Sequence, residues 1–87
     1  NAFDETDTYT SLEKQHDMML LVIRYYDQCA AALEKGAKAD DLIALPVRER
    51  IGRFKYAAPE KAAAEYSDIC TALELEINGA VQNKEDF

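Results

Sequence analysis

An all-α fold, a small bundle of three longer helices and one short helix preceded by an extended leader, is the architecture this sequence predicts. Three observations point to it. Apolar residues recur at three- and four-residue spacing through two long segments, the period of one helix face. Val, Ile and Thr never cluster in the alternation that a strand requires. The chain of 87 residues holds only 3 Gly and 2 Pro, and most of them stand where a helix would stop or start.

Residues 1–10 read as an extended or turning leader, acidic at Asp4, Glu5 and Asp7 and carrying Phe3 and Tyr9. Thr10 and Glu13 have the capping-box spacing, in which hydroxyl and carboxylate satisfy each other's backbone donors. The first long helix is therefore expected to start there and to end near Lys35, with Gly36 in the left-handed position after it. At 100° per residue, Leu12, Met19, Val22, Ile23, Tyr26, Cys29, Ala30 and Leu33 share a broad face. Lys14, Asp17, Arg24, Gln28 and Lys35 lie opposite. Leu20 and Leu21 fit neither side, so the helix is expected to touch more than one neighbour.

Asp40 or Asp41 can cap a short helix carrying Leu42, Ile43 and Leu45, and Pro46 stops it. Pro46 also suits the first turn of a helix over about 46–57, with Val47, Ile51, Phe54 and Ala58 on one face and Arg48, Arg53 and Lys55 pointing away. Pro59 opens the last helix, about 59–81. Its apolar arc runs through Ala62, Ala63, Tyr66, Ile69, Cys70, Leu73, Ile77, Ala80 and Val81, with Leu75 on the polar side. The expected organisation is a leader at 1–10, a helical bundle at 11–82 and a tail at 83–87.

Composition narrows the function. At 48% hydrophobic residues the chain can bury a modest core and is not a disordered one. The longest apolar run, MMLLVI at 18–23, is far too short to cross a bilayer, and no segment reads as a signal peptide. A net charge of −7 argues against nucleic acid as a partner, because phosphate neutralisation needs surplus Lys and Arg. The one basic stretch, VRERIGRFK, reads as a solvated helix face or a protein contact. Cys29 and Cys70 have no metal-ligand spacing and read as buried free thiols, and His16 is the only histidine, so no Cys/His metal site is expected.

No catalytic residue is expected within the chain. Neither G-x-x-x-x-G-K-[ST] nor G-x-G-x-x-G occurs, and Gly36, Gly52 and Gly79 are too scattered to cradle a phosphate. His16 lies beside Asp17, but neighbours on a helix diverge by about 100°, so that pair is not expected to converge. Asp40/Asp41 and Glu74/Glu76 read as caps and solvated faces. Phe3 and Tyr9 leave two readings open: a hydrophobic staple folding the leader onto the first helix, or rings that stack on a planar ligand or partner.

The opening stretch NAFDETDTYTSLEKQ resembles the segment that follows the nucleotide-binding domain in the catalytic A subunit of V-type and archaeal A-type ATP synthases. Asn1, Ala2, Phe3, Asp4, Asp7, Thr8, Tyr9, Ser11, Lys14 and Gln15 fall on the family pattern, and Thr6 replaces its usual Val. MLLVIRYYD at 19–27 and LIALPVRERIGRFKY at 42–56 are similar to the helices that follow; 57–87 is less diagnostic.

The resemblance implies the C-terminal helical domain of a larger ATP-hydrolysing or ATP-synthesising subunit. ATP or ADP with Mg would be bound by upstream residues at an interface with a B subunit. The domain would face the central rotor stalk and couple turnover to rotation and to proton or sodium transport. Such a head is cytoplasmic and meets the membrane only through the ion-translocating sector. By the same resemblance Phe3, and second to it Tyr9, would wall the adenine. The chain alone would be inactive and would hold no nucleotide. Two alternatives remain: a free-standing helical adaptor using Arg48, Arg53 and Lys55, and a small domain binding a planar metabolite through Phe3 and Tyr9.

Overall fold

The computed structural model describes residues 12–85. The leader, with Phe3, Tyr9 and the Thr10 half of the expected capping box, lies outside the described residues. So do the last two residues of the expected tail. Four helices follow in order: α1 (Lys14–Glu34), the short α2 (Ala39–Ile43), α3 (Pro46–Phe54) and α4 (Pro59–Glu85). There is no strand among the described residues, and the fold is the expected all-α one.

The stop signals act where the residue types placed them. Gly36 takes a φ of 103°, a conformation open to a residue without Cβ. Around it, Ala37 N–H bonds to Ala32 O and Gly36 N–H to Leu33 O, each at 3.0 Å. That is a Schellman closure, and Ala37 and Ala32 are both buried. Pro46 occupies the first turn of α3, where its missing N–H costs nothing. Asp40 and Asp41, expected as caps, instead lie inside the first turn of α2, whose N-cap is Lys38 without a side-chain bond. Their carboxylates favour that end through the helix dipole. The last helix runs past its expected end at 81 to Glu85. Gln82, Lys84 and Glu85 are good helix formers, and no Gly or Pro interrupts them.

Packing makes the path up, down and up again. Lys14, at the start of α1, donates to Ala57 O just ahead of α4. The far half of α1, around Gln28 and Lys35, lies beside Glu74 and Val81. The two long helices therefore run parallel. Between them α3 returns, with Val47 beside Glu76 and Phe54 beside Tyr66, ring centroids 6.4 Å apart. Leu21, Val47, Phe54, Ile69 and Leu73 are fully buried where the three meet. Each such side chain stabilises the fold by about 1.5–3 kcal/mol.

The core face of α1 is not the one expected. The buried positions are Lys14, Leu21, Tyr25, Cys29 and Ala32. Leu12, Met19, Ile23, Tyr26 and Leu33 are exposed. The helix is apolar on two sides, and the bundle uses the row that places slim Ala32 and fully inserted Leu21 against α3 and α4. Lys14, placed on the polar face by its charge, is buried because its Nζ reaches Ala57 O at 2.7 Å. An ammonium there satisfies a carbonyl beyond the C-terminal end of α3. On α4 the expected arc holds at Ala62, Ile69, Leu73, Ile77 and Val81, while Ala63 is exposed and Leu75 stands in solvent.

Candidate functional site

The first region of interest is the start of α1, to which the segment bearing Phe3 and Tyr9 is attached. Lys14, Gln15, Met18, Met19 and Lys55 line a shallow concavity of about 420 Å³. Met18 and Met19 give it an adaptable, polarisable lining, and Lys14 and Lys55 bring two cations to it. Lys14 Nζ is held by Ala57 O, and Lys55 Nζ lies 5.1 Å from the Tyr56 ring centroid. Both charges are thus positioned by neighbours. Phe3 and Tyr9 themselves lie outside the described residues.

The second region is a groove between α1 and the α2–α3 corner. Tyr25, Cys29 and Leu42 form its floor, and Tyr26, Ile43 and Arg48 stand among its lining residues, enclosing about 200 Å³. Tyr25 Oη donates to Leu42 O at 3.2 Å, which ties α1 to α2 and fixes the floor. Burial, and after it the neighbouring Cys29 thiol, push the Tyr25 hydroxyl above its ordinary pKa. Burial likewise raises the Cys29 thiol, so it stays protonated and unreactive at neutral pH. Cys29 and Cys70 are both free thiols, Cys29 buried and Cys70 half-buried.

The basic stretch of α3 does not form one continuous face. Arg53 pairs with Glu49 at 3.7 Å on the same exposed surface, and Arg50 reaches Glu65 of α4 at 3.8 Å. Exposed pairs of this kind contribute at most about 1 kcal/mol. Arg48 has no ion-pair partner among the described residues and lies on the groove. The expectation that His16 and Asp17 diverge is corrected. His16 Nδ1 and Asp17 Oδ1 approach to 3.6 Å, because rotamers can bring adjacent side chains together over the helix surface. The His16 side chain is nonetheless solvent-exposed, at 70%.

Sequence reasoning treated Glu76 as part of a solvated acidic pair and missed its task. Its Oε1 accepts from Val47 N–H at 2.8 Å. That N–H is one of the donors left unpaired at the start of α3. A partner 29 positions away leaves no local signal in the sequence. Among the described residues, no group of three or more His, Cys, Asp or Glu could hold a metal ion, and no helix is long and apolar enough to cross a membrane.

No family model matches the chain, and no solved structure matches it significantly. Curated proteins do. A V-type ATP synthase alpha chain from Acetivibrio thermocellus is 42% identical over 81 residues, 93% of this chain and 14% of the relative. The one from Clostridium perfringens is 44% identical over 78 residues, 90% of this chain and 13% of the relative. That from Clostridioides difficile is 36% identical over 84 residues, 97% of this chain and 14% of the relative. By this similarity over nine-tenths of its length, the chain belongs to the V-type ATP synthase alpha chain family, as a segment that spans 13–14% of those relatives' length.

Proposed function

We propose that the chain is the C-terminal helical domain of the catalytic subunit of a rotary V/A-type ATP synthase. In this reading it couples ATP hydrolysis or synthesis to rotation of a central stalk and to ion transport. The observation that carries the proposal is the 42–44% identity over nine-tenths of the chain to V-type ATP synthase alpha chains. The phosphates and Mg are held upstream of Asn1, at an interface with the B subunit. This segment supplies a wall for the base and a block that moves when the site opens or closes. Phe3 is the ring placed against adenine, with Tyr9 second.

Physical features support the lever. α1, α3 and α4 are tied to one another by Lys14 to Ala57 O and by Val47 N–H to Glu76, and a shared core lies between them. A block so joined can take discrete positions without melting. The assembled head works on the cytoplasmic side, peripheral to the membrane. Hydrogen exchange on the assembled enzyme during turnover tests this: core amides around Leu21, Val47 and Leu73 stay protected. Cooperative loss of protection there with each cycle contradicts it.

A free-standing adaptor is the second reading, favoured by the exposed apolar residues on α1. It differs in requiring no nucleotide-binding domain on the same polypeptide.

A further inference from the structure

The concavity at the start of α1, about 420 Å³, is lined by Lys14, Gln15, Met18 and Met19, with Lys55 from just beyond α3. Half-buried Met18 and exposed Met19 offer thioether surface, on which aromatic rings pack well. Lys14 and Lys55 make the hollow cationic. No carboxylate is among its lining residues, and no ion pair among the described residues includes either lysine.

The segment joined to this end has the matching chemistry. Residues 1–11 hold Asp4, Glu5 and Asp7 and no Lys or Arg, with Phe3 and Tyr9 as their aromatics. Length permits a seat as well. Met18 stands six residues past Leu12, about 9 Å along the helix axis. Tyr9 stands three residues before Leu12, a reach of about 10 Å when extended. Asp7 has about 7 Å more.

Connectivity favours this occupant over others. Any chain joined ahead of Asn1 meets the bundle through these residues, so they come to the concavity first. Chain beyond Glu85 departs from the opposite end, where Val81 of α4 lies beside Gln28 and Lys35 of α1. A segment tethered a few residues away also competes at an effective concentration of about millimolar, which a separate partner rarely matches.

We propose that residues 1–11 turn back on the start of α1, seating one face of the Tyr9 ring on Met18 and Met19 and setting Asp7 against Lys55. The other face of Tyr9 stays open, so the seat is compatible with a second place in the adenine wall. It depends on nothing upstream of Asn1.

The test replaces Tyr9 with photo-reactive benzoylphenylalanine, an aromatic that inserts into nearby C–H bonds, in the full-length gene product. After irradiation, trypsin cuts behind Lys14 and Arg24, which separates position 9 from QHDMMLLVIR at 15–24. The expected product joins position 9 to Met18 or Met19 within a molecule of monomer mass. Lys55→Glu lowers its yield about threefold, the scale of one surface ion pair. Asp7→Lys in that background restores it, and Lys38→Glu, the same charge change beyond Gly36, leaves it unaltered. Attachment of position 9 to another region of the polypeptide, to a second copy or to a different chain overturns the proposal, as does no cross-link. So does an equal loss with Lys38→Glu, or a loss with Lys55→Glu that Asp7→Lys fails to repair.

Discussion

The Glu76 carboxylate of α4 accepts a hydrogen bond from Val47 N–H of α3 at 2.8 Å, closing the start of one helix with the side chain of another. Pro46 has already removed one N–H from that end, and Leu45 offers no side-chain cap. Glu76 thus does locally what an Asp or Ser at the N-cap would do, and it adds a negative charge at the positive end of the helix dipole. Because donor and acceptor lie on different helices, the bond also fixes the register of α3 on α4.

Glu76→Ala should therefore destabilise the chain by about 1–2 kcal/mol, the scale of a lost cap. Glu76→Gln keeps an acceptor but loses the charge, and should cost about half as much. Urea unfolding measures both. An unchanged midpoint for Glu76→Ala would remove the cap from the account.

Lys14 and Tyr25 make two further long-range hydrogen bonds, to Ala57 O and Leu42 O. Tyr25→Phe deletes only the hydroxyl and should cost about 1 kcal/mol. Lys14→Met keeps the stem but leaves the Ala57 carbonyl without its ammonium, for about 1–2 kcal/mol. Arg53→Ala, which breaks a pair exposed on one helix, should change stability by less than about 0.5 kcal/mol. Equal effects from all three would show that burial does not rank them.

Alkali should weaken the fold. Burial holds the Cys29 thiol and the Tyr25 hydroxyl above their ordinary values of 9.0 and 10.0. Groups raised in the folded state bind more protons there than in the unfolded chain. Their contribution is complete below the unfolded pKa and is lost as pH rises past it. The thermal midpoint should start to fall above about pH 9 and fall faster above about pH 10. Cys29→Ala should flatten the first part of that decline; the same slope in that variant would assign it to other groups.

In the full-length enzyme, Phe3→Ala should weaken nucleotide binding by about 1–3 kcal/mol, the scale of an aromatic–base stack. The fold should be spared. Tyr9→Ala should have the smaller effect. Equilibrium binding of ADP measures both, and unchanged affinity for Phe3→Ala would take that ring out of the adenine pocket.

Much of the fold was legible because its signals are local. Gly36 marks a left-handed stop, Pro46 and Pro59 mark helix starts, and the arc from Ala62 to Val81 repeats at helical spacing. The orientation of α1 was not legible. It carries two apolar rows, and spacing alone favours the row at Met19, Ile23, Tyr26 and Leu33 that the bundle leaves exposed. Which row turns inward depends on the shape of α3 and α4. Lys14 and Glu76 were misplaced for a related reason. Charge predicts solvent exposure until an unpaired carbonyl or N–H from a distant helix end comes within reach. For the proposed adenine wall, the resemblance of NAFDETDTYTSLEKQ supplied the residues, and Phe3 and Tyr9 lie outside the described structure.

In the proposed function these helices are one part of a catalytic ATPase subunit. Sequencing the gene upstream of the Asn1 codon tests it most directly. The expected result is an uninterrupted reading frame that encodes a G-x-x-x-x-G-K-[ST] loop on the same polypeptide. A start codon immediately before Asn1, with no such loop in frame, would contradict it.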